Sequence, residues 1–521
     1  MTDLTANAAA PRTRAREPSA AEKRRAQRHR ANARFRSYGL GAIVLAVVFL
    51  TTILTDITIK AVPAFTQSTL KIDVPLTPEF IDPADPKAGD FDGAVRAALR
   101  NLFPNSTAKA ERKVIGSLLS SDAGRSLRAL ALAEPKWIGQ TVPAVVLLSS
   151  DADLYAKGIA ASIVTGTGIG TAKPSGTSGP VTVEFAPGAL ANAPGAQREA
   201  YDSASPALLV AMNGGVVRIN ALKGDRAEGE TLVPLTSAEP APSGSWRPIL
   251  IRTPESQRRI TDLQIAFVEL LKDKRVIGSE LNTAFFARGD SREPELAGIL
   301  GSLTGTAFTM LITLGLCLPI GLGAAIYLEE FAPRNRLTHL IEININNLAA
   351  VPSIVFGLLG LAVFLNVFGM PRSSPFVGGL VLALLVLPTI IIAARASLKS
   401  VPPSIREAAI GVGATHQQAV FHHVLPVAMP GILTGTIIGM AHALGETAPL
   451  LMIGMIAFIT DVPKNPLEAA TVLPVQIFLW SDLPEAGFQS KTAAAILVLI
   501  FFLIVMNGLA IWLRTKFERR W

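Results

Sequence analysis

The sequence predicts an all-α membrane bundle of six transmembrane helices, with a mixed α/β extracytoplasmic domain inserted between the first helix and the second. Three observations predict it. Half of the 521 residues are apolar and only 17% are charged, with a mean hydropathy of +0.41, a balance unusual for a soluble chain. Six apolar blocks reach the roughly 20 residues that a bilayer-crossing helix needs. Between the first two of them runs a long stretch of different composition, punctuated by glycine and serine.

The composition also excludes function classes. Apolar content this high rules out disorder as the dominant state. Cys317 is the only cysteine, which removes a disulfide framework, thiolate zinc sites and iron–sulfur ligation. No GxxxxGK[ST] phosphate loop occurs, nor any Gly-Lys pair. If ATP is used, another chain must bind it.

Residues 1–37 carry ten Lys/Arg against three acids, within a net charge of +8. A nucleic-acid arm is one reading of such a block. The apolar run that begins at Gly39 favours the other, a basic arm held at the cytoplasmic face by the positive-inside rule. The first span covers 38–58. A cleaved signal peptide would have a shorter lead, and Ala61-Val62-Pro63-Ala64 is a weak cleavage site, so an uncleaved anchor is expected.

The remaining spans are expected at 296–328, 345–369, 376–398, 427–459 and 491–513. The first and fourth of these exceed span length, which tilt or a break at Pro319 can absorb. With the N-terminus inside, Arg334 and Arg336 fall in one inside loop and Lys399 and Arg406 in the next. Arg514, Lys516, Arg519 and Arg520 then fall in an inside tail. Both termini are therefore expected in the cytoplasm. The basic residues of 59–295 do not oppose this, because long domains translocate regardless of charge.

The 59–295 segment shows helical patterns at Phe91–Leu102, Lys109–Leu132 and Thr261–Asp273. Strand-like runs lie at Ala144–Leu148, Val181–Phe185 and Ala207–Val210. Turn-rich loops separate them, as in a two-layer soluble domain. The GTGIG run within 165–180 reads either as an anion cradle of backbone N–H groups or as a surface loop, and the loop is preferred. Arg288-Gly289-Asp290 is taken as a chance tripeptide. Nothing in the segment declares a role.

The loop between the fourth and fifth spans reads EAAIGVGATHQQAVFHHVLP over 407–426. A helix of small residues is expected after Pro402-Pro403, with Ser404 as its N-cap and Glu407 three residues on. Gly411 and Gly413 should break it, and Pro426 should end the approach to the next span. A short exposed helix with a small-residue face can lie in a partner's groove.

In the fifth span Gly431, Gly435 and Gly439 recur at steps of four, a ridge that lets a second helix backbone come close. Glu446 is a costly carboxylate for a span, and His442 lies one turn before it. The two form either a functional site or a structural His–Glu pair, and Glu446 is expected to be paired.

The 407–426 loop resembles the EAA loop of ABC-transporter permeases: Glu407-Ala408-Ala409, three residues, Gly413, then Leu425-Pro426 at the family spacing. His423 stands where that pattern has an aliphatic residue. ALGETAPLL in the fifth span and NNLAAVPSIVFGLLG at 346–360 resemble the PstA-type permease of the bacterial phosphate importer. Family members often have Arg near the position of His442. The 59–295 insertion looks like the extra N-terminal domain found in some of these permeases.

The resemblance implies a six-helix ABC importer permease in a bacterial inner membrane, importing inorganic phosphate without covalent chemistry of its own. Glu407, Ala408, Ala409, Gly413, Leu425 and Pro426 would form the loop that meets the ATPase. Glu446, His442, Thr447 and Arg395 are the candidates for the translocation pathway, with headgroup anchoring the preferred role for Arg395. No cofactor is implied for this chain, ATP and Mg being used by a partner. The implied partners are an ATP-binding dimer, a second permease subunit and an extracytoplasmic phosphate-binding protein. A molybdate or sulfate permease is the near alternative. A membrane sensor would need a cytoplasmic output domain, and a secondary transporter would need more intramembrane charge.

Overall fold

The structure is a computed structural model that describes residues 20–190, 200–201 and 206–517. The basic arm as far as residue 19, and Arg519 and Arg520 of the tail, lie outside the described residues. The chain divides into two compact units, Met1–Ile59 and Lys60–Trp521. The first is dominated by α1 (Ala20–Ala61), a helix of 42 residues. Its apolar stretch is exposed along its length, from Leu40 to Ile53, as a helix solvated by lipid would be.

Among the described residues of the second unit, ten strands make two antiparallel sheets. The chain enters through β1 (Thr66–Pro75). α2 (Phe91–Asn101) follows, with Asp90 as its N-cap accepting from the Gly93 amide at 2.8 Å. α3 (Lys109–Ser117) and α4 (Arg125–Ala133) are two helices where one was expected over Lys109–Leu132. The turn-forming Ser120-Ser121-Asp122 separates them, and Leu119 pairs instead with Leu148 in an isolated bridge. Next come β2 (Thr141–Leu147), α5 (Ser150–Ala156), β3 (Ile163–Thr165), β4 (Ala172–Pro174) and β5 (Pro180–Phe185).

β6 (Ala207–Met212) and β7 (Gly215–Lys223) form a hairpin across Asn213-Gly214, both at positive φ, the conformation a two-residue hairpin turn requires. β8 (Arg226–Val233), β9 (Arg247–Ile251), α6 (Asp262–Asp273), β10 (Ile277–Leu281) and α7 (Thr283–Ala287) complete the domain. The sheets run β10-β1-β2 and β3-β9-β6-β7-β8-β5-β4. α6 is opened by a capping box in which Thr261 and Gln264 satisfy each other's backbone. Its Ile265, Phe267, Val268 and Leu271 bury into the core shared with the smaller sheet. The opposite face of the larger sheet closes under Trp246 and Phe185, whose rings are 5.0 Å apart.

The membrane core begins with α8 (Leu300–Ile326), prolonged by a wider turn over 327–331. Thr306, Thr309 and Thr313 are buried in it and donate to carbonyls four residues earlier, so no hydroxyl is stranded in the apolar interior. The expected span at 345–369 is not one helix. α9 (Arg336–Ala349) and α10 (Ser353–Leu359), continued by a wider coil over 360–367, meet at 103°. Pro352 is the cause: it offers no N–H and disfavours helical backbone at Val351.

α11 (Pro375–Lys399) packs lengthwise on α8, where Gly379 brings the backbones together at Thr309 and Ile312. α12 (Pro403–Gly411) and the single turn α13 (His416–Gln418) form the elbow. α14 (Leu425–Gly445) follows, then α15 (Ala448–Met452). The expected 427–459 span therefore ends as a helix at Gly445, and 453–472 is irregular. Glu446 caps the break, and Pro449 sits in the first turn of α15. α16 (Leu473–Ser481) was not foreseen, its apolar run being too short to cross a bilayer. α17 (Ala486–Phe517) is the last span. Among the described residues five helices are long and apolar enough to cross, and the bent α9/α10 pair makes a sixth only if counted as one span.

Candidate functional site

The elbow joining α11 to α14 is built by local rules. α11 stops at Lys399, and Pro403 starts α12. Pro402 takes the N-cap position in place of the expected Ser404, which lies inside the first turn. A proline at N1 loses no hydrogen bond, since its missing N–H would be unpaired there anyway. The far end is fixed by Gly413 at φ +94. Its amide donates to Ile410 O at 2.9 Å, and the Ala414 amide reaches Ala409 O at 3.0 Å. This is a Schellman stop, and only glycine takes that φ without strain. The four-residue step from Ala409 to Gly413 is thus the spacing at which this helix is closed.

Beyond the stop, Thr415 and Gln418 form a second capping box. A wider coil over 419–424 then leads through Leu425 and Pro426 into α14. Ala409 is buried against the bundle. Glu407 and Ala408 are exposed, Ile410 is half exposed, and Val412 is 86% exposed. Ala408, Ala409, Ile405, Val412, His423 and Val427 line an apolar cleft of about 560 Å³ between α12 and the root of α14. His423 is therefore part of the cleft wall. The surface offered is a short helix with an open apolar notch and one exposed carboxylate, Glu407, which has no ion-pair partner among the described residues.

Above the elbow the glycine ridge faces α11. A Cβ added to Gly431 would stand 2.4 Å from Ser397 Oγ, one on Gly435 2.2 Å from Ala393 Cβ, and one on Gly439 2.8 Å from Val386 Cγ1. The ridge sets how closely α11 and α14 approach.

A family model described as "Binding-protein-dependent transport system inner membrane component" matches residues 317–521. A second, a domain of unknown function (DUF3333), matches 22–163. The chain is 28% identical over 257 residues to the probable ABC transporter permease protein YqgI of Bacillus subtilis, covering 46% of this chain and 86% of that one. It is 32% identical over 234 residues to the phosphate transport system permease protein PstC of Haemophilus influenzae, covering 40% and 73%. With the phosphate transport system permease protein PstA 1 of Mycobacterium tuberculosis it shares 32% identity over 235 residues, 45% of this chain and 76% of the relative. The chain belongs to the phosphate transport system permease family.

As a permease it is a multi-pass inner-membrane transport subunit. The remaining candidate residues are distributed along its core. His442 Nε2 lies 3.0 Å from Glu446 Oε1, so the carboxylate is paired within its own helix end. The Thr447 carbonyl accepts from the Leu450 and Leu451 amides and opens α15. Arg395 is elsewhere: it donates to Glu342 Oε1 at 2.6 Å and reaches Glu329 Oε2 at 3.5 Å. It ties α11 to α9 and to the end of α8. It flanks the Gly431–Gly435 turn, roughly 20 Å along the axis from Glu446. The permease therefore does not bring Arg395 to the His442–Glu446 pair.

Two motifs of the domain side take their place in the structure of the permease. The GTGIG loop is pinned: Gly166 and Gly168 donate to Pro248 O and Trp246 O, so those N–H groups are not free for an anion. Arg288-Gly289-Asp290 is a structural corner. Arg288 pairs with Asp122 at 3.1 Å, and Asp290 accepts from Trp480 Nε1 at 2.9 Å. Burial raises the Asp290 carboxyl above its usual range despite that bond. Burial, with Glu293 beside it, pushes Glu295 up to about 7. Glu330 and His416 were missed by sequence reasoning. Each acts across the fold, and no local spacing marks either.

Proposed function

We propose that this permease is one half of the transmembrane path of an ATP-driven importer for inorganic phosphate. The supporting observation is the Gly413-closed helix beside an apolar notch, in a chain whose relatives at 32% identity are named phosphate transport system permeases. Both termini and the elbow lie in the cytoplasm, and the 59–295 domain lies outside. A dimer of ATP-binding subunits hydrolyses ATP with Mg and grips the elbow. A second permease subunit completes the path, and an extracytoplasmic binding protein delivers phosphate.

The division of labour follows from the side chains. The elbow supplies an exposed apolar face and Glu407, so a motor can hold it by burial and one charge contact. Ala408 presents only a methyl group to a groove, and Ala409 packs inward against the bundle. The glycine ridge makes α11 and α14 a tightly packed pair, so movement of the elbow carries both. Glu446 bound to His442 repels an anion less than a bare carboxylate would.

Phosphate uptake in a strain lacking its own permease, complemented with Glu407→Lys, tests the reading. Uptake should fall to background while the protein stays in the membrane. Normal uptake would remove the elbow's assignment. Sulfate and molybdate offered as competitors decide the substrate class, since neither should reduce uptake.

A further inference from the structure

We infer that Arg406 is the relay of this permease: its guanidinium hands movement of the elbow to α8 through Glu330 and, at the same time, to α11 through that helix's last carbonyls. The inference rests on the transport reading above and adds the residues through which force leaves the elbow.

Arg406 stands one residue before Glu407 on α12, and it points away from the exposed face into the bundle. Its Nε lies 3.2 Å from both oxygens of Glu330, and Nη2 lies 2.6 Å from Oε1. The other donors close the shell: Nη1 reaches Val401 O at 2.8 Å, and Nη2 also reaches Leu398 O at 2.9 Å. Those carbonyls belong to the end of α11 and the turn after it, where intrahelical partners run out. Glu330 lies in the wider turn that ends α8, and its side chain is only 4% exposed. One planar fork thus joins three elements.

The second half of the elbow is fastened to the same residue. His416 Nε2 lies 2.9 Å from the Glu330 carbonyl, and its ring meets Phe331 edge-on at 5.1 Å. The attachments fall on either side of the Gly413 stop, one on α12 and one on α13. A load on the elbow therefore has two routes, and both end at residue 330. An elbow held only by its chain ends would swing on Gly413. This one is clamped on both sides of its turn.

Lysine cannot replace the fork. It keeps the charge but presents a single nitrogen, which cannot face Glu330 and both carbonyls with the same geometry. The experiment uses the complete transporter in proteoliposomes: this chain, the second permease, the ATP-binding subunits and the phosphate-binding protein. Phosphate moved and ATP hydrolysed are measured together, alongside the amount of motor that copurifies. With Arg406→Lys, phosphate moved per ATP should fall about tenfold while hydrolysis stays within about twofold and the motor remains bound. Glu330→Gln keeps the shape and one acceptor oxygen, and should lower the ratio by about threefold. A ratio unchanged in both variants overturns the relay. Loss of the motor from the complex also overturns it, because Arg406 would then only hold the docking helix in shape. If the unaltered complex moves no phosphate, the functional reading fails, and that result is separate from either outcome.

Discussion

Gly435 and Ala393 touch with no room for a side chain between them: a methyl placed on Gly435 would stand 2.2 Å from the Ala393 Cβ. Close approach of this kind is how apolar helices associate where water drives nothing. Gly435→Ala should therefore lower stability by about 1–3 kcal/mol, the usual cost of overpacking, and Gly435→Val by more. Thermal unfolding in detergent measures it. An unchanged midpoint for both would mean that α11 and α14 are not held at this spacing.

Gly413→Ala tests the helix stop. At φ +94 an L-residue is strained, by about 1–2 kcal/mol. The elbow should fray at Ala409–Val412, and copurification of the motor should fall several-fold. Gly411→Ala is the control. Its backbone is helical and a Cβ there meets open space, so motor binding should hold.

Glu295 makes the joint between domain and bundle sensitive to pH. Its carboxyl is pushed up to about 7 by burial and by Glu293. The folded state therefore holds the proton more tightly than the unfolded state does, and stability falls as pH rises from the ordinary carboxylate range through about 7. The loss is on the order of 3 kcal/mol. Melting should be lower at pH 8 than at pH 6, and Glu295→Gln should flatten most of that difference. Asp290, also raised, adds in the same direction.

The Trp480–Asp290 bond crosses from α16 to the domain corner at 2.9 Å. Trp480→Phe keeps the ring against Phe488 but leaves the buried carboxylate one donor short, which costs about 1–3 kcal/mol. Hydrogen exchange should quicken at 288–298 and 471–481 with little change in the larger sheet. Equal protection in both proteins would show that the corner does not rely on this bond.

The sequence made the elbow readable because the rules there are local. Ala409 to Gly413 is the reach of one helix-closing pair of hydrogen bonds, and Gly431, Gly435 and Gly439 repeat at the helix period. The 103° turn at Pro352 was also written locally, but an apolar window of span length averages across Val351-Pro352 and hides it. α14 ended early for a similar reason: Gly445 and Pro449 interrupt a run that stays apolar beyond them. α16 is too short for any span rule. What no local pattern carries is pairing at a distance. Arg406 and Glu330 are 76 residues apart, and each reads alone as a surface charge near a membrane. Arg395 is hidden in the same way, since Glu342 and Glu329 become its partners only once α9 has folded back.

The central claim is that the elbow docks on a cytoplasmic motor. Cys317 is the only cysteine, so Cys317→Ser with Val412→Cys gives one reporter at the most exposed point of the notch. Membrane-impermeant maleimide labelling is measured in vesicles of either orientation, with and without the ATP-binding subunit. Docking on the motor predicts labelling only from the cytoplasmic side, and protection when the motor is bound. Labelling from the outer side, or equal labelling with and without the motor, would contradict it.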